Sequence, residues 1–168
     1  PNIDNINNST KVIKINEPSG IQSWAGFYFV LEEKIKFPEG KEAISFQFYS
    51  PKPGHKVLLK LEDGLPNGTQ GKKSTGDLFA ITTTSGWETL IFNIPEFDGR
   101  NNVYNTITII LGYEISNQSE VNYYMDNIQF SNPIQIIVDQ SNIDASEQVT
   151  RYSGCLLYTS DAADEGHC

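Results

Sequence analysis

From residue 11 to residue 130 the apolar side chains recur at every second position, and no stretch carries the apolar stripe of an amphipathic helix. Side chains two apart share one face of an extended chain, so this period calls for sheets that are apolar on one side. The spacing predicts eight strands, over residues 11–15, 25–32, 43–49, 55–62, 78–84, 87–94, 106–113 and 122–130, none longer than about nine residues. Phe27, Phe29 and Leu31 face one way, Tyr28 and Val30 the other. Ile44, Phe46 and Phe48 alternate with Ser45, Gln47 and Tyr49, and Val57, Leu59 and Leu61 with Leu58, Lys60 and Glu62. Turn chemistry separates the strands: Pro38-Glu39-Gly40-Lys41, Pro51-Lys52-Pro53-Gly54, Asn67-Gly68 and Ser85-Gly86 supply fixed or positive φ where the chain reverses. Short strands, Gly/Pro turns and no helix give an all-β fold, an antiparallel sandwich or jelly roll.

The ends of the chain follow different rules. Residues 155–165, Cys-Leu-Leu-Tyr-Thr-Ser-Asp-Ala-Ala-Asp-Glu, resemble a translated sequencing adapter of the kind found at the ends of metagenomic contigs, and are set aside from fold reasoning. The whole tail, residues 155–168, is set aside with them, and so are both cysteines, Cys155 and Cys168, and His167. Residues 131–154 read as a linker and the start of a further strand or repeat, with too little apolar content for a second core. Pro1 is not an initiator Met, so the start is expected to be cut, and the absence of a leader carries no information. A sandwich lacking an opening strand has an unpaired edge, where residues 134–138 are expected to dock.

Charge and composition narrow the function. Lys and Arg number 12 against 21 acids, a net charge of −9 that falls to −6 once the three acids of the tail are removed. Such a surface repels phosphate backbones, so nucleic acid is not expected as a partner. No apolar run approaches the ~20 residues of a membrane-spanning helix. The 2 cysteines and 2 histidines are too few for a Cys/His zinc cluster, and His55, beside a Pro-Gly turn, reads as a surface residue.

Five motifs in order carry a family resemblance: Trp24-Ala25-Gly26-Phe27; Tyr49-Ser50-Pro51-Lys52-Pro53-Gly54; Val57-Leu58-Leu59-Lys60-Leu61-Glu62; Gly86-Trp87-Glu88 with Leu90; and Tyr123-Tyr124-Met125-Asp126-Asn127-Ile128. Over roughly two thirds of the chain, about residues 19–130, it resembles the galactose-binding-like β-sandwich modules of secreted bacterial β-glucanases and glycan-utilisation proteins. The resemblance implies a non-catalytic carbohydrate-binding module, N-terminally truncated over residues 1–130. Such a module tethers an attached enzyme or neighbouring domains to a polysaccharide or oligosaccharide, outside the cell or on the bacterial surface. It also implies a structural calcium held partly by an aspartate of the last strand.

That residue is Asp126, which by parity shares a face with Ile128 and Phe130. An inward carboxylate needs a partner. Calcium, with Asn16 and Glu17 contributing, would supply one; backbone N–H groups at the strand end would supply another. For a sugar, Trp24 lies in a Gln-Ser-Trp-Ala-Gly loop where exposure is expected, whereas Trp87, opening a strand, reads as structural. If strands 43–49 and 55–62 are neighbours, Gln47, Tyr49, Lys60 and Glu62 form one polar outer face, with a ring to stack on and groups to bond hydroxyls. A ligand-free spacer in a tandem array is the alternative. A glycosidase is disfavoured, because no Glu-x-Asp-x-x-Glu strand occurs and the pairs Glu32-Glu33 and Glu62-Asp63 point to opposite faces.

Overall fold

The computed structural model describes residues 6–64, 73–95, 101–114 and 119–134. The readings made for residues 135–168 fall outside these.

Eight strands form: β1 (Ile13–Glu17), β2 (Phe27–Val30), β3 (Ala43–Ser50), β4 (Lys56–Glu62), β5 (Leu78–Ile81), β6 (Gly86–Asn93), β7 (Thr106–Ile110) and β8 (Val121–Ser131). Each overlaps one of the eight expected segments, with β1 shifted two residues later than expected. They make two antiparallel four-stranded sheets, ordered β1-β8-β3-β6 and β2-β7-β4-β5. Strand 1 thus pairs with 8, 2 with 7, 3 with 6 and 4 with 5. That nesting is a long hairpin wound into a jelly roll, whose two sheets pack face to face. Among the described residues there is no helix, hence none able to cross a membrane.

The alternating apolar residues do the packing. Ile44, Phe46 and Phe48 of β3 meet Val57, Leu59 and Leu61 of β4 in a core that also holds Leu90, Phe92, Ile109, Tyr123 and Met125. Phe46 stacks on Phe92 at 5.3 Å and Phe48 on Tyr123 at 5.5 Å. Burying each such side chain contributes about 1.5–3 kcal/mol. The turn at residues 38–41 forms as its chemistry requires: Gly40 takes φ 71°, and the Lys41 N–H donates to the Pro38 carbonyl at 3.0 Å.

Four expectations need correction. Strand β8 runs to 11 residues, because it spans two partners, β1 and then the full length of β3. Its register against β3 shifts between Gln47↔Asp126 and Ser45↔Gln129, so Asn127 and Ile128 together stand opposite Phe46. This extra residue is a bulge, with Asn127 at φ 52°, and it breaks the parity on which the placement of Asp126 rested. Asp126 faces outward beside Gln47; Phe130, opposite Ile44, takes the inner side and packs on Phe37 at 5.2 Å.

The third correction concerns neighbours. Strands β3 and β4, consecutive in sequence, lie in different sheets, because a jelly roll sends the chain across the sandwich at that turn. Gln47 and Tyr49 therefore cannot share a face with Lys60 and Glu62. Fourth, His55 is 1% exposed rather than a surface residue. Its Nδ1 lies 2.7 Å from the Tyr123 hydroxyl, and its Nε2 meets no hydrogen-bond partner among the described residues. Burial, with Lys52 adding to it, holds its imidazole below the ordinary value of 6.5. The unfolded chain consequently binds the proton first, so stability should fall as pH drops through about 6.5. Thermal melts between about pH 7 and 5 should show a declining midpoint in the native chain and a flatter profile in His55→Gln; equal slopes would contradict this.

Past β8, the described chain ends at Ile134, beside edge strand β6. The Asn93 side chain of edge strand β6 bonds both the N–H and the carbonyl of Ile134, each at 2.9 Å. The remainder of the predicted docking segment lies outside the described residues.

Candidate functional site

Two outer faces are available, one per sheet, and the sequence candidates divide between them. On the β1-β8-β3-β6 sheet, the pairing sets Lys14, Tyr124, Tyr49 and Trp87 side by side across four strands. Tyr49 is half-buried, with its ring edge-on to Trp87 at 5.8 Å and to Tyr124 at 5.6 Å. Its ring thus has an aromatic neighbour on either side, and Trp87, half-buried, lies on this same outer face.

The next row on this face is Asp126, Gln47 and Thr89. Residues 6–9 lie against it. The Gln47 amide donates to the Ile6 carbonyl, while its oxygen accepts from Asn127 Nδ2 at 2.9 Å, so both ends are engaged by the chain itself. Asn7 is 4% exposed and donates through Nδ2 to Asp126 Oδ2 at 3.0 Å; the Asn127 N–H donates to Oδ1 at 2.8 Å. The Ser9 hydroxyl is the largest of the influences that lower the Asp126 carboxyl below the usual carboxylate range, with burial opposing it and Asn7 and the Asn127 N–H adding to it.

These neighbours do not make a cation site with the other two expected ligands. Asn16 pairs with Asn122, four positions before Asp126, or about 13 Å along an extended strand. Its amide donates to Glu120 at 2.7 Å and Asn122 at 3.1 Å. Glu17 lies one step further away, opposite Val121. The nearest side-chain and backbone groups on Asp126 are N–H and O–H donors, which satisfy a carboxylate without a metal. Among the described residues no three His, Cys, Asp or Glu side chains gather as a metal would need.

The second sheet presents a different surface. Core-facing Phe27 and Phe29 turn Tyr28 of β2 outward, where it is 53% exposed. Cross-strand pairing places Tyr28 beside Thr108 of β7, and Thr108 beside Lys60 of β4. The Lys60 ammonium lies 3.5 Å from Glu62 and 3.9 Å from Asp77, at the mouth of β5. Glu62, 7% exposed, also accepts from the Thr108 hydroxyl at 2.6 Å. An open ring thus stands at the end of a row of hydroxyl, ammonium and carboxylate groups already oriented by one another. The row suits a ligand with a flat apolar face and a rim of hydroxyls.

The neighbouring row is apolar: Ile110, Leu58 and Phe79. Beyond it, Lys56 Nζ sits 4.2 Å from the centroid of Phe79 and 5.1 Å from that of Tyr113, and pairs with Glu114 at 2.7 Å. Glu114 also donates its N–H to the Ser23 carbonyl at 3.2 Å, which brings the turn carrying Trp24 to this end of the sheet. Trp24 is 67% exposed, as its loop setting suggested.

Of the five residues read as ligand-binding, then, Trp24, Lys60 and Glu62 belong to the second sheet's side, and Gln47 and Tyr49 to the opposite face. Sequence reasoning missed Tyr28, Thr108, Asp77 and Phe79. The signal for Tyr28 was available in the alternation of residues 27–31; the others depend on which strands pair.

Comparison with known proteins adds little at the level of sequence. No family model matches the chain, and no curated protein does. Among solved structures, the chain is similar to one from work on the promiscuous specificity of carbohydrate-binding modules of the β-sandwich superfamily, at 12% identity and a TM-score of 0.41 over 73% of this chain. The match spans 55% of that structure's length. A Bacillus endospore appendage protein, from a family of disulfide-linked pili, is similar at 11% identity and a TM-score of 0.22, over 73% of this chain and 91% of the other.

Proposed function

We propose that this chain is a glycan-binding module without turnover, which takes a neutral, β-glucan-like polysaccharide on the outer face of the β2-β7-β4-β5 sheet. The observation that carries the reading is Tyr28, 53% exposed and in line with Thr108, Lys60 and Asp77. A sugar ring stacks its C–H face on the phenol while its hydroxyls exchange bonds with water for bonds to that row. Among the described residues, the two ammonium groups on the face are matched by carboxylates, Lys56 by Glu114 and Lys60 by Glu62 and Asp77, which favours an uncharged ligand over a polyuronate. Glu62 and Asp77 do approach each other, but the Lys60 ammonium fills the gap that a glycosidic bond and its water would need.

Each hydrogen bond nets about 0.5–1.5 kcal/mol and the stacked ring a similar amount. Less the cost of association, a handful of such terms gives a dissociation constant on the order of micromolar to millimolar. An affinity of that size serves a tether, because an attached enzyme held near a polymer gains through effective concentration. Attachment to such an enzyme, outside the cell or on a bacterial surface, is part of the proposal and follows from the motif resemblance.

Affinity electrophoresis in gels cast with different neutral glucans tests it. The chain should be retarded in at least one and release no reducing sugar. Equal mobility in every gel would favour a ligand-free spacer, and release of reducing sugar an enzyme.

A further inference from the structure

Resting on that reading of the second sheet, we infer that Glu62 fixes the direction of hydrogen bonding at Thr108. The carboxylate takes the Thr108 proton, so Thr108 meets the ligand as an acceptor and selects a sugar hydroxyl that donates. Glu62 is a positioning residue, acting on the ligand through Thr108. The two are diagonal neighbours across the β4-β7 pair, because Lys60 stands opposite Thr108 and Glu62 opposite Thr106. Thr108 is half-buried and Glu62 only 7% exposed, so the hydroxyl is within a ligand's reach while the carboxylate is nearly enclosed.

A threonine hydroxyl has one proton to give, and a carboxylate has none. The bond from Thr108 Oγ1 to Glu62 Oε2, 2.6 Å long, therefore runs one way, in the range of a charge-assisted bond. What Thr108 has left for a ligand is lone pairs alone. The other carboxylate oxygen, Oε1, lies 3.5 Å from the Lys60 ammonium, and Asp77 lies 3.9 Å from the same ammonium. Lys60 carries donors only, so the paired positions Thr108 and Lys60 present an acceptor and a donor side by side. A free sugar hydroxyl suits Thr108 because it can donate. An etherified or acylated position sets acceptor against acceptor and leaves Thr108 unpaired, so the site selects glycans unsubstituted at that hydroxyl. The ammonium also decides what an amide would do in place of the carboxylate. In Glu62→Gln the amide oxygen belongs beside Lys60, because an NH2 there would oppose the ammonium, and the NH2 turns to Thr108. The bond then reverses, and the Thr108 proton is free for the ligand.

Fluorine in place of a hydroxyl accepts weakly and cannot donate, so it reads the bond direction. The full chain should be titrated calorimetrically with the shortest oligosaccharide it binds, prepared from the glucan that retards it. The same titration is run with analogues in which single hydroxyls are replaced by hydrogen or by fluorine. In the native chain, one position should lose about twofold to tenfold in affinity on either replacement. Thr108→Val should level hydroxyl, hydrogen and fluorine at that position, and Thr108→Ser should keep the native ranking. Glu62→Gln should bind the parent sugar and prefer fluorine to hydrogen there, a reversal that a merely structural role for Glu62 would not produce. Thermal melts verify that the variants fold; if Glu62→Gln does not, the native and Thr108→Val series decide the direction by themselves. Fluorine tolerated by the native chain where hydrogen is not would overturn the inference while leaving glycan binding intact. So would the absence of any position that depends on Thr108, or a native ranking in folded Glu62→Gln. Absence of binding by every oligosaccharide and every polysaccharide would overturn the functional reading itself.

Discussion

Phe46→Ala should remove about 3–5 kcal/mol of stability, the usual cost of emptying a phenylalanine site in a packed core. Phe46 is 1% exposed, stacked on Phe92 at 5.3 Å and edge-on to Phe48 at 6.2 Å. It also stands opposite the β8 bulge, where two residues face one and the backbone has little freedom to close a void. Against a typical total of about 5–15 kcal/mol, such a loss would bring the domain close to unfolding at ordinary temperature. Urea titration should find the midpoint sharply lowered. A loss under about 1 kcal/mol would mean that the two sheets do not pack through this residue.

Gly26→Ala should act locally and reach the candidate site. A Cβ at that position would come 2.3 Å from the Ile109 carbonyl oxygen and 2.7 Å from Ile110 Cγ1, so β2 would have to move away from β7. Overpacking of this kind costs about 1–3 kcal/mol. Strand β2 has four residues and bonds to one neighbour, so it can absorb that strain by detaching while the core stays formed. Tyr28 would go with it. The expected result is a melting point lowered by a few degrees together with loss of glucan retardation. Unchanged retardation would show that β2 does not position the ligand.

Local rules in the sequence were sufficient for the strands and insufficient for the faces. Alternation identified all eight strands because each buries one side, and the Pro38–Lys41 turn marked a reversal; the Asn67-Gly68 turn lies outside the described residues. The assignment of β3 and β4 to opposite sheets is a matter of topology, which adjacent alternating segments cannot encode: Tyr49 and Lys60 look alike in pattern and lie on opposite sides of the sandwich. Asp126 was misplaced by a single inserted residue, since one bulge inverts every side chain beyond it. His55 resembled a turn residue, and its burial depends on Tyr123, 68 positions away. Gln47 was rightly read as outward, yet its amide is taken by the Ile6 carbonyl and Asn127, contacts that no strand pattern reveals.

The central claim is that the outer face of the β2-β7-β4-β5 sheet carries the ligand and the opposite face does not. Affinity electrophoresis of Tyr28→Ala beside Tyr49→Ala, in the glucan gel that retards the native chain, tests it most directly. Both variants should melt as cooperative folded domains. Tyr28→Ala should run as in a gel without polysaccharide, and Tyr49→Ala should remain retarded. The reverse pattern, with retardation lost in Tyr49→Ala and kept in Tyr28→Ala, would contradict the assignment and place the site on the other sheet.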